Sequence, residues 1–213
     1  TSSTDKGLYY LKTIGDSLKI RETLKDKNKI VIIGAGYIGL EIASIAIKKN
    51  LKVTVLELEG RVMKRAVCPE VSHFLEHKHR SQGVEFKFNT SVTDIVSSDK
   101  QKKIICSDGT ILTTDLAVVG IGIKPNVDLA QSCGLKCENG IIVDENGKTS
   151  DHNIFAVGDC SNHPNNIFKR RLRLESVQNA VEQAKSIAAG IAGKYKPYRR
   201  VPWFWSDQYN LKL

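Results

Sequence analysis

The 213 residues carry 32 lysines and arginines against 23 acids, a net charge of +9, and 41% of them are hydrophobic. These proportions are those of an ordinary globular chain, long enough for one large or two small domains. No apolar run approaches the roughly 20 residues that cross a bilayer, so a membrane protein is not expected. In chain order, a short helix is predicted from Asp16 to about Lys25. An apolar β-branched strand, Ile30 to Ile33, runs into Gly34-Ala35-Gly36-Tyr37-Ile38-Gly39 and a helix. That helix places Ile38, Ile42, Ile45 and Ala46 at helical spacing, a face for packing on a sheet. A second apolar strand ends in Glu57. Pro69 suits the first turn of a helix that closes near Gly83, and Glu85 to Phe88 reads as a strand. Residues 91–97 and 102–107 alternate with period two, and Asp108-Gly109 turns the chain before Ile111, which gives an antiparallel meander. Residues 115–120 return as a buried strand of the parallel sheet. Gly140 to Val143 and Ile154 to Val157 read as strands, Asn146-Gly147 as a turn, and Leu174 to Ala192 as a long helix with Val177, Val181, Ile187 and Ile191 on one face. The tail, 201–209, is dense in aromatics.

The chemistry is concentrated in residues 29–57. Strand, G-x-G-x-x-G, helix, strand and acid follow one another, with Gly34 and Glu57 separated by 23 positions. This is the dinucleotide-binding fingerprint. Gly34 allows the tight turn, Gly36 lets a pyrophosphate approach the backbone, and Gly39 lets helix and strand pack closely. Free N–H groups and the positive helix end then face the phosphates. A carboxylate at Glu57 accepts from ribose hydroxyls and repels a 2′-phosphate, which favours NAD over NADP. Arg61, Lys64 and Arg65 lie just beyond and offer the opposite preference. Glu41, in the first helical turn, is placed either to meet the nicotinamide amide or its ribose, or only to stabilise the helix dipole.

Other signals are weaker. Gly158-Asp159 after an apolar strand places a carboxylate where α/β sheets bind ligands, or is a plain turn. His73 and His77 share a helix face but lack the H-E-x-x-H order and a third ligand, so no metal is expected. Cys68, Cys106, Cys133, Cys137 and Cys160 include no C-x-x-C pair, which suggests reduced thiols and a cytoplasmic setting. The basic cluster Lys169, Arg170, Arg171 and Arg173 has no recognition helix or RNA-binding motif beside it, so nucleic acid is not an expected partner. The start at Thr1 and the stop after the aromatic tail read as the ends of a fragment.

Taken together these motifs resemble the two-dinucleotide flavoproteins, and within them the ferredoxin reductases, the group of the rubredoxin and putidaredoxin reductases. The matching text is Tyr9 to Thr13, GAGYIGLE at Gly34 to Glu41, Gly120-Ile-Gly-Ile-Lys-Pro-Asn126, Asn139 to Asp144, Ile154 to Cys160, Arg173 to Asn179 and Pro202 to Tyr209. The resemblance implies an α/β fold: a Rossmann-like NAD-binding domain at 4–122, with a parallel sheet and a β-meander. It implies the second part of an FAD-binding domain at 123–200 and a truncated C-terminal interface domain at 201–213. It implies NAD contacts along Gly34, Ala35, Gly36, Tyr37, Ile38, Gly39, Glu41 and Glu57, with Gly120 and Gly122 passing the nicotinamide half. It implies FAD contacts at Lys12 (where this branch usually has arginine), Asp159 and Val177, with Trp203 or Trp205 near the flavin. The implied reaction moves hydride from NADH to FAD and then single electrons to a ferredoxin or rubredoxin-type iron–sulfur protein, with no catalytic acid or base. Lys169, Arg170 and Arg171 are candidates for docking an acidic redox partner. The fragment alone is expected to be inactive and to hold FAD weakly. The alternatives are an NADH oxidase, a nitrite-reductase flavin subunit, a monodehydroascorbate reductase, or a redox-sensing flavoprotein resembling apoptosis-inducing factor.

Overall fold

In the computed structural model, which describes residues 7–97, 101–194 and 197–213, the β-branched runs form the middle of a parallel sheet. Residue 4, the expected start of the first domain, lies outside the described residues. β1 (Leu8–Tyr10) leads to α1 (Ile14–Thr23), whose start is fixed by a capping box: Thr13 Oγ1 accepts from Asp16 N at 3.1 Å, and Asp16 accepts from Thr13 N at 2.8 Å. The helix therefore begins two residues before the expected position. β2 (Lys29–Ile33), α2 (Tyr37–Lys48) and β3 (Lys52–Leu56) form the βαβ unit. α3 (Pro69–Ser81) and β4 (Val84–Lys87) extend it. β5 (Val92–Ser97), β6 (Lys102–Cys106) and β7 (Ile111–Thr114) are the antiparallel meander, and β8 (Leu116–Val119) rejoins the first sheet.

The first sheet has the order β1-β8-β2-β3-β4 and is parallel throughout. Parallel strands are covered on both faces, so their sequences read as unbroken apolar runs. Here Ile30, Ile32, Val53, Val55, Leu116 and Val118 pack with Leu40, Ala43 and Ala46 of α2 and Leu75 of α3. Val31, Leu56 and Ala117 face the other way and pack with Ile104 and Cys106 of the meander. Each fully buried aliphatic side chain contributes about 1.5–3 kcal/mol. The packing face of α2 differs from the expected one. Ile42 and Ala46 are buried, but Ile38 and Ile45 are 41% and 48% exposed. Leu40 and Ala43 take their place, because the close approach at Gly39 turns that side of the helix inward.

The described chain divides into two compact units, one reaching to Gly122 and including Ser206–Leu213, the other Ile123–Trp205. The second contains α4 (Asp128–Ser132), β9 (Ile141–Ile142), β10 (Ser161–Asn165), β11 (Arg170–Leu172) and α5 (Val177–Ile191). Its sheet runs β11-β10-β9. The expected strand at Ile154–Val157 is not one. Among the described residues it finds a single bridge, Lys148 to Phe155, and a strand needs a ladder to exist. Asp159 therefore sits in a 3₁₀ turn, Gly158–Cys160, that leads into β10. The expected turn at Asn146-Gly147 is built by Asp144, whose carboxylate accepts from Asn146 N at 2.8 Å and Lys148 N at 2.9 Å.

The tail divides between the units. Residues up to Trp205 belong with the second. A hairpin of β12 (Asp207–Gln208) and β13 (Leu211–Lys212) belongs with the first, where Leu211 packs on the core. Among the described residues no helix is long and apolar enough to cross a membrane.

Candidate functional site

The loop between β2 and α2 is shaped by its glycines, each differently. Gly34 has φ +103°, and a Cβ there would lie 2.5 Å from Gly120 O. Its N–H donates to Leu56 O at 2.7 Å, which locks the loop onto β3. A Cβ at Gly39 would lie 2.0 Å from Gly34 O, so only glycine lets the helix begin this close to the strand. A Cβ at Gly36 would meet nothing within 4 Å. Gly36 caps α2 without a side chain, so the positive helix end opens onto free space. That is a cradle with room for a diphosphate. Ile38 is exposed at the start of the helix, and Ala35 is buried.

Glu57 closes the cradle on one side. Its Oε2 accepts from Ala35 N at 2.6 Å and its Oε1 from Glu59 N at 2.9 Å. The carboxylate is held before any ligand arrives, with lone pairs left for two hydroxyls. Two of the three nearby cations, Arg61 and Lys64, are engaged. Arg61 donates to Val67 O and Lys64 O, both at 3.0 Å. Lys64 pairs with Glu59 at 2.5 Å, and its hydrogen bond and charge hold the Glu59 carboxyl below the usual range. Sequence reasoning did not single out Glu59, which lies in the bend after β3. Gly120 N donates to Ile33 O at 2.8 Å, and Gly122 has φ +100°. Glu41 is half-buried and lies just past the first turn of α2, not in it as expected, and it accepts from Ser206 Oγ at 2.7 Å.

The second unit brings Asp159, Val177 and Trp205 to one cleft of about 390 Å³, lined also by Glu175, Ser176, Ala180 and Phe204. α5 starts there at Val177, not at Leu174, because Ser176 caps it and accepts from Asn179 N at 3.2 Å. The S-x-x-N spacing was the sequence signal for that cap. Partial burial first, and Glu175 second, push the Asp159 carboxyl up, while Arg173 opposes them. Trp203 lines a neighbouring cleft of about 640 Å³ with Val181 and Arg200. The buried side of α5 carries Ile187, as expected, but also the polar Asn179 and Gln183. Gln183 Oε1 accepts from Gly158 N and Ser161 Oγ, both at 2.8 Å, which ties the Gly-Asp turn to the helix. Val177, Val181 and Ile191 are exposed by 62%, 42% and 63%. Lys12 is an exposed residue of the first unit, after β1.

The basic cluster is not uniform. Arg171 donates to Asn162 Oδ1 at 3.3 Å and to the carbonyls of Val143 and Asn162, so it ties β9 and β10 together. Arg173 pairs with Glu175 at 2.7 Å and donates to Asp159 O at 3.1 Å. Lys169 and Arg170 remain exposed.

A family model described as pyridine nucleotide-disulphide oxidoreductase matches residues 2–184. The chain is 47% identical over 207 residues to putidaredoxin reductase CamA of Pseudomonas putida, covering 96% of this chain and 49% of that one. The solved ferredoxin reductase for the CYP199A2 system of Rhodopseudomonas palustris superposes with a TM-score of 0.95 at 42% identity, over 99% of this chain and 52% of that one. The reductase of a covalent putidaredoxin reductase–putidaredoxin complex superposes at 0.91 with 45% identity, over 96% and 50%. The chain spans about half the length of the curated relatives it matches.

Proposed function

The chain belongs to the pyridine nucleotide-disulphide oxidoreductase family, and on that premise we propose that it is the NAD-binding part, with part of the FAD-binding part, of an NADH-dependent ferredoxin or rubredoxin reductase. The observation that carries this reading is the pairing of an open Gly36 cradle with a pre-held Glu57. When bound, the nicotinamide supplies hydride, and the flavin accepts it and releases electrons singly to an iron–sulfur protein.

The chain's own residues bind and orient. The first turn of α2 holds the diphosphate of NADH by its N–H groups. Glu57 takes the ribose hydroxyls and excludes a 2′-phosphate, and Glu59 supports it by keeping Lys64 occupied. Gly120 and Gly122 let the nicotinamide half lie close to the backbone. In the second unit, Asp159 meets the ribityl–phosphate region. The N-terminus of α5 at Val177 steadies negative charge on the ring, and Trp205 supplies an aromatic wall. Trp203 stands beside it. Two relatives are named for electron-carrier proteins, putidaredoxin and ferredoxin. An acidic carrier of that kind would meet Lys169 and Arg170, two exposed members of the basic cluster. The free cysteines suit a cytoplasmic setting.

The test is a pair of binding isotherms on the 213-residue chain. NADH should bind at least about tenfold more tightly than NADPH, a difference of about 1.4 kcal/mol. Equal affinities would overturn the role of Glu57, and no NADH binding at millimolar supply would overturn the whole reading.

A further inference from the structure

A row of polar side chains connects α3 to Glu41, near the start of α2, through the β12–β13 hairpin. Tyr209 Oη lies 2.9 Å from His79 Nδ1, and His79 Nε2 lies 2.9 Å from Gln208 Oε1. Gln208 Nε2 donates to Ser206 Oγ at 3.0 Å, and Ser206 Oγ donates to Glu41 Oε1 at 2.7 Å. Ser206 and Gln208 are 1% exposed and His79 is fully buried.

Counting donors fixes the direction of every bond. A carboxylate only accepts, so the single hydroxyl proton of Ser206 goes to Glu41. Ser206 must then accept from Gln208, whose amide nitrogen only donates. That turns the Gln208 carbonyl towards His79, which therefore carries its proton on Nε2 and accepts from Tyr209 on Nδ1. All four bonds point towards Glu41. The hairpin does not need this chain for apolar docking, because Leu211 already packs on the core. What the chain does is hold one carboxylate oxygen and leave the other, Oε2, for a donor outside. A held glutamate meets a ligand without the entropy loss of freezing its rotamers.

We propose that Ser206, Gln208 and His79 are positioning residues that aim Glu41 at the carboxamide N–H₂ of nicotinamide. The proposal rests on the dinucleotide reading above. Glu41 follows the open end at Gly36 by five residues, just past the first turn of α2, so a nucleotide whose diphosphate lies at that end brings its nicotinamide half within the same site.

ADP-ribose, which keeps the diphosphate and both riboses but lacks nicotinamide, separates the two ideas. In isothermal titrations of the 213-residue chain, Ser206→Ala should weaken NADH by about tenfold and ADP-ribose by less than about twofold. Ser206→Thr, which keeps the hydroxyl, should restore NADH binding, and Gln208→Leu should behave as Ser206→Ala does. Equal weakening of both ligands, or of neither, would overturn the proposal. A wild-type chain that binds NADH no more tightly than ADP-ribose would overturn it too, while leaving the dinucleotide site standing. A wild-type chain that binds neither ligand would remove both.

Discussion

Two glycines three residues apart answer differently to a methyl group. At Gly36 an added Cβ would meet open space, and at Gly39 it would meet a carbonyl oxygen at 2.0 Å. Gly36→Ala should therefore keep its stability in urea melts within about 0.5 kcal/mol, yet bind NADH at least about tenfold more weakly. Gly39→Ala should lose about 1–3 kcal/mol, because backbone must move to admit it. Comparing melts with ligand titrations separates the glycine that serves the ligand from the one that serves the fold. Glu59 makes a second case at this scale. Glu59→Gln releases Lys64, so NADPH should bind about fivefold more tightly than to the wild type, and the gain should fade with added salt. An unchanged ratio of NADPH to NADH affinity in Glu59→Gln would show that Lys64 does not reach the 2′ position.

At the level of elements, α3 couples a buried histidine to pH. Burial pushes His79 below the ordinary imidazole value of 6.5, with the Gln208 hydrogen bond opposing it. Burial also pushes the Tyr209 phenol up to about 12, so it remains a donor through the neutral range. Because the folded value is the lower one, the unfolded chain takes up the proton first as pH falls. The stabilisation is complete above about pH 6.5 and declines below it, by up to about 1.4 kcal/mol per pH unit for one histidine. Urea midpoints at pH 7.5 and 5.5 should show this decline, and His79→Gln should remove its share. His163 in the second unit is displaced in the same direction, by burial and then by Arg171, so the rest of the slope should survive that substitution. How far each element could be read in advance follows from where its stabilisation comes from. β2, α2 and β3 are legible because parallel buried strands and a glycine-led helix are dictated locally, down to Gly34, Gly36, Gly39 and Glu57. Ile154–Val157 is apolar enough for a strand but finds only a single bridge among the described residues, and β10, with the polar text SNHPN, is a strand only because β9 and β11 pair with it. Ile38 fits the helical period yet points outward, since the contact at Gly39 rotates the face. His79 sits four residues after Leu75 on the buried side of α3, a polar residue at an apolar position, and that was its one sequence signal.

For the molecule as a whole, the first unit is assembled from two separated pieces of chain. Removing Ser206–Leu213 would leave His79 without its Gln208 and Tyr209 partners and uncover the apolar surface beneath Leu211. The shortened chain should lose about 2–4 kcal/mol from the unfolding transition of the first unit, because a buried donor and acceptor become unsatisfied and an aliphatic contact disappears. Hydrogen exchange resolved along the chain would check this: protection should fall in α3 and hold in α5. Protection that fell equally in both would show that the hairpin does not belong to the first unit alone.

The same division sets an order for events during synthesis. Gly122 and Leu213 are 91 residues apart, and at about 5–20 residues per second their appearance is separated by about 5–20 s. Throughout that interval the nascent sheet is complete but the imidazole of α3 lacks its amide and phenol, so the last step in closing the nucleotide-binding half waits on the ribosome reaching the hairpin.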